Sequence, residues 1–83
     1  MKTLIKGNTT YTIAKGQPNW IIFTRIIKRK EGHDSLMESL SINLNTHEVY
    51  CNRTGKQTFG ISRYLKLVLR IEKLFNLSSL RDF

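Results

Sequence analysis

A chain of 83 residues has room for one small domain, here taken as residues 1–83, and its single cysteine, Cys51, excludes an intrachain disulfide. Hydrophobic residues at 40% and charged residues at 24% are ordinary globular usage, which argues against a disordered tail, and no run approaches the ~20 apolar residues of a membrane span. Lys and Arg number 14 against 6 acids, and the resulting +8 implies attraction to polyanions: nucleic acid, an anionic membrane surface or an acidic protein.

Residues 2–15, KTLIKGNTTYTIAK, place Gly7-Asn8 between two short runs rich in Thr, Ile and Tyr, the composition of a β-hairpin. Gly16-Gln17-Pro18-Asn19 then breaks regular structure, because proline lacks an amide hydrogen and restricts its predecessor. WIIFTRIIKRK, residues 20–30, is β-branched and aromatic at its start, apolar on both faces as in a central strand, and runs out into Lys28-Arg29-Lys30. After the polar residues 31–35, LMESLSINLN alternates cleanly. Leu36, Leu40, Ile42 and Leu44 point inward, with Met37, Ser39, Ser41 and Asn43 outward.

Residues 45–48 connect to Val49-Tyr50-Cys51 as a second hairpin, and with no glycine there His47 is expected in the left-handed region. Asn52 to Gln57 reads as a polar turn. Ile61 to Leu77, ISRYLKLVLRIEKLFNL, then has helical periodicity. Ile61, Tyr64, Leu65, Val68, Ile71 and Phe75 recur on one side, with Ser62 as N-cap and Asn76 as the stop. The tail frays unless Leu80 or Phe83 docks. The fold class is α+β: a small antiparallel meander of about five strands packed by one C-terminal amphipathic helix.

That helix carries the main functional signal. At ~100° per residue, Arg63, Lys66, Arg70 and Lys73 share a side opposite the apolar one. A surface helix that serves only solubility usually interleaves Glu with Lys, since opposite charges one turn apart are mildly stabilising. Here Glu72, the helix's acid, falls toward the apolar side, and the basic row suits a phosphate backbone. A second cluster joins Arg25, Lys28, Arg29 and Lys30 at the strand end to Arg53 and Lys56 in the later loop. Tyr11 and Tyr50 are placed to stack on a base at a wet surface.

Catalysis finds little support. His33-Asp34-Ser35 has the letters of a hydrolytic triad, but triads are assembled in space rather than from neighbours. His47 and Cys51 fall short of the about four donors of a structural metal site, so no metal or cofactor is expected. Gly55-Lys56 lacks the upstream glycine and following Ser or Thr of a phosphate loop. The N-terminus lacks the apolar stretch of a secretory signal, and the lone cysteine suits a reducing interior, so a cytoplasmic location is expected.

Strands followed by Thr54 to Ser62, TGKQTFGIS, and an amphipathic helix resemble the single-stranded-DNA-binding coactivators of the positive-cofactor type. That resemblance covers the last third of the chain and implies a curved antiparallel sheet, a dimerising terminal helix and cations on the sheet; no site residues carry over. The reading is a small non-enzymatic nucleic-acid-binding protein, with the strandedness of its ligand open. The alternative is an interaction module or inhibitor, of the kind phages and plasmids encode, docking on an acidic partner or nucleoprotein. Association with an anionic membrane surface through the basic helix is a third, weaker reading. A domain this small also leaves a homodimer open.

Overall fold

The computed structural model describes residues 1–29 and 35–83. Strands β1 (Lys2–Lys6), β2 (Thr9–Lys15), β3 (Trp20–Ile27), β4 (Leu36–Asn43), β5 (Glu48–Cys51) and β6 (Gly55–Thr58) precede one helix, α1 (Ile61–Phe75). Each strand pairs antiparallel with the next, so the sheet order is the chain order. Six strands replace the expected five. The sixth, GKQT, has no apolar alternation because it is an exposed edge that buries no side chain; its backbone pairs with β5, and Lys56 adds an ion pair to Glu48. The turn assigned to 52–57 shrinks accordingly to Asn52–Thr54.

The expected turns form where the side chains allow them. Gly7 has φ 59 in the β1–β2 hairpin, a conformation that costs a residue without Cβ nothing. His47 takes φ 63 in the β4–β5 connection, and Asn43 prepares that turn by accepting the amides of Asn45 and Thr46 at 2.9 and 3.0 Å. Between β2 and β3, Asn19 has φ 71 and its carbonyl accepts the Leu44 amide at 2.8 Å, tying two loops together.

One face of the sheet is packed by α1, and among the described residues no helix covers the other. On the packed face Ile13, Ile21, Ile42 and Val49 meet Tyr64, Ile71 and Phe75 from α1, with Leu44 and Leu80 completing the buried core. Side chains this deeply buried each contribute about 1.5–3 kcal/mol relative to exposure. The helix is rolled relative to the sequence expectation. Ile61 and Leu65, placed inward by periodicity, are 58% and 48% exposed, and Leu69 is 52% exposed. Apolar residues occupy more than half of the helix circumference, and the sheet selects the side bearing Tyr64 and Phe75, flanked by Leu67, Val68 and Leu74.

Both helix ends are set by backbone. Ser62 is not the N-cap. Gly60 holds that position in an extended conformation (φ −63, ψ 159) without a side-chain cap, and its carbonyl accepts the Tyr64 amide at 2.9 Å. The helix starts early because Phe59 is anchored against the core and its amide is bound to the His47 carbonyl at 3.0 Å. Asn76 ends the helix in the left-handed region, φ 56 and ψ 46, as its side chain permits. The tail then docks. Leu80 is 1% exposed, its amide donates to Glu72 Oε2 at 2.6 Å, and Arg81 Nη2 donates to the Leu44 carbonyl at 2.7 Å.

Candidate functional site

The roll of α1 leaves a hollow between its cationic flank and the packed face of the sheet. Two adjoining cavities of about 390 and 470 Å³ share Glu38, Leu40, Leu67 and Arg70 and together form one groove. Arg63 and Lys66 line its first half, and Lys73 joins Arg70 along the second. The floor is apolar and aromatic: Leu40, Phe59, Phe23 and Tyr11. Tyr11 and Phe23 stack with centroids 6.1 Å apart, and Phe23 meets Phe75 edge-on at 6.2 Å, so the floor is fixed by the core beneath it.

The four helix cations are all exposed, and among the described residues none of them forms an ion pair. Arg63 is held by other means. Its guanidinium lies 3.9 Å above the Phe59 ring, and Nη1 reaches Gln57 Oε1 at 3.5 Å. Stacking orients the guanidinium plane while leaving donors free for an incoming acceptor. Glu38 is the acid of the groove, and it is engaged by Arg25 at 3.5 Å across the β3–β4 register. Glu72 is occupied by the tail amide and does not reach the row.

The second cluster of sequence candidates does not assemble into one patch. Arg25 enters the groove, but its charge is met by Glu38. Lys28 and Arg29 are exposed just past the end of β3, and Lys30 lies outside the described residues, as do His33 and Asp34. Arg53 is exposed in the β5–β6 turn, beside Thr54 at the first half of the groove. Lys56 and Tyr50 are cross-strand partners on the helix-free face, and Lys56 pairs with Glu48. Bonds from Lys56 and then from Thr46 hold the Glu48 carboxyl below its usual range.

Several groove residues were not anticipated, Lys6 and Cys51 among them. Lys6 lines the second half: the β1–β2 hairpin was legible, but that its packed side would meet the flank of α1 was not. Cys51 lines the first half, its thiol held below the ordinary value chiefly by the Arg53 backbone, against an opposing contribution from burial. Among the described residues, no three His, Cys, Asp or Glu side chains cluster to hold a metal ion, and no helix is long and apolar enough to cross a membrane.

No family profile matches the chain, and neither a curated protein nor a solved structure shows significant similarity to it.

Proposed function

We propose that this protein binds nucleic acid without catalysing a reaction on it, through phosphate contacts along the cationic flank of α1. One observation carries the reading: Arg63, Lys66, Arg70 and Lys73 line up beside a groove with an aromatic floor, with no acid ion-paired to any of them among the described residues. Phosphates reward such a row because each neutralisation releases a condensed counterion. The exposed Lys28, Arg29 and Arg53 add to the field that steers a polyanion toward the molecule. α1 carries no Asn or Gln beside its cations, and Gln57 of the groove is bonded to Arg63, so sequence preference is expected to be slight.

The test is equilibrium binding to single- and double-stranded DNA, RNA and heparin over a salt series. Affinity should fall with a log–log slope of about −0.7 to −0.9 per engaged cation. Replacing Arg63, Lys66, Arg70 and Lys73 together by Gln should flatten that slope. Salt-independent binding, or a quadruple variant that binds like the parent, rejects the proposal. A single stoichiometric protein retained after nuclease treatment would instead assign the flank to an acidic partner.

A further inference from the structure

The sheet divides the chain's charge unequally. On the packed side, strand positions carry Lys2, Lys6, Lys15, Arg25 and Glu38, and α1 adds its four cations above them. On the other side the registers bring up rows without net charge. One reads Ile5, Thr10, Ile26, Met37; the next Thr3, Thr12, Thr24, Ser39; the third Ala14, Ile22, Ser41, Tyr50, Lys56. Trp20 and Asn43 form a fourth. Among the described residues, the charged strand positions on this face are Glu48 and Lys56, and they neutralise each other. In a chain of net charge +8, a face of six strands with no net charge is a departure from the rest of the surface.

Three of its apolar side chains are largely exposed, and Trp20, Ile22 and Ile26 are half-buried. Ile5 is 69% exposed, Tyr50 54% and Met37 53%. A Thr-rich outer face is ordinary for an antiparallel sheet, but such faces are normally wetted by Lys and Glu rather than Ile, Met and Trp. With ~4.8 Å between strands and ~3.3 Å per residue, the face projects to roughly 500 Å². Standing side chains raise the accessible area toward the ~800 Å² per partner of a standard interface.

We propose that this face is the dimer interface of the protein, occupied by the same face of a second copy. A two-fold contact requires a self-complementary patch, and a neutral one lets two +8 chains approach without the repulsion that their packed sides would impose. Sheets packed face to face interdigitate their inner side chains across about 10 Å. The two grooves would then face outward on opposite sides of the dimer. The exposed stripe Ile61, Leu65 and Leu69 on α1 is the competing surface. It is narrower, and it borders the cationic row, so pairing through it brings like charges together.

The experiment is sedimentation velocity on the full chain without nucleic acid, diluted from millimolar to micromolar, so its outcome is independent of the function proposed above. A mass of two chains that falls to one on dilution is expected, and added salt should not dissociate it. Trp20, the only tryptophan, lies on the face, and its emission should shift to the red on dilution. Met37→Lys and Tyr50→Lys, both at exposed positions, should each weaken the dimer by about tenfold or more while far-UV circular dichroism is unchanged. Leu65→Lys on the helix should leave it intact. A monomer at every concentration overturns the proposal, as does a dimer broken by Leu65→Lys but not by the sheet variants.

Discussion

At Tyr64 the helix, the β4–β5 turn and the C-terminal tail meet. Its hydroxyl donates to the Leu44 carbonyl at 3.2 Å, the acceptor that Arg81 also uses, and its ring stacks on His47 with centroids 3.9 Å apart. Burial pushes the phenol above the ordinary tyrosine value; Arg81 opposes that rise and Glu72 adds to it. The protonated form is therefore favoured in the folded state. Its stabilisation is complete below the ordinary value and is lost as pH rises through the folded one. Tyr64→Phe should cost about 1 kcal/mol at neutral pH, and above about pH 10 its stability should decline less steeply than the parent's. Chemical denaturation at a series of alkaline pH values checks this, and parallel declines would refute it. The residue scale is also where sequence reading was most uneven. His47 was legible as a strained turn residue because no glycine was at hand. That Glu38 and Glu48 would neutralise Arg25 and Lys56 was not, because those pairs are created by strand register.

Helix α1 was legible in its existence, its end at Asn76 and the grouping of its cations, since a 3.6-residue period marks both helix and row. Its roll was not. With Leu67, Leu69 and Leu74 added to the apolar set, several faces were nearly equivalent in sequence, and only the shape of the sheet decided among them. The edge strand β6 was hidden for the opposite reason: it buries no side chain and leaves no pattern. The N-terminus was misplaced because Ser62 is a good capping residue at a position the chain does not use for capping. That vacancy yields a prediction. Gly60 has a φ that any residue adopts, and a Cβ there would meet nothing within 4 Å. Gly60→Ser should supply the missing acceptor and restrict the unfolded chain, raising stability by about 0.5–1 kcal/mol. Thermal unfolding would show a rise of several degrees. A fall would mean that the extended Phe59-Gly60 entry needs glycine for a reason other than space.

Across the whole molecule, charge follows the two faces of the sheet more closely than it follows the sequence. The helix row, the main signal in sequence, separates further from the second cluster once acids are located. Arg25 has Glu38 beside it and Lys56 has Glu48, whereas the helix cations have no ion-pair partner among the described residues. A cation already paired with an acid neutralises a phosphate less fully, so it displaces fewer of the counterions condensed on the polymer. The salt dependence of nucleic-acid binding should therefore partition by location. Arg63→Gln, Lys66→Gln, Arg70→Gln and Lys73→Gln should each reduce the log–log slope by about 0.7–0.9. Arg25→Gln and Lys56→Gln should change it by much less. Lys56→Gln also reports on geometry: it lies on the helix-free face beside Tyr50, so a large effect there would place the polymer on the wrong side of the sheet. Equal effects from all six variants would show that net charge alone governs binding, and the cationic groove would then have no special part in it.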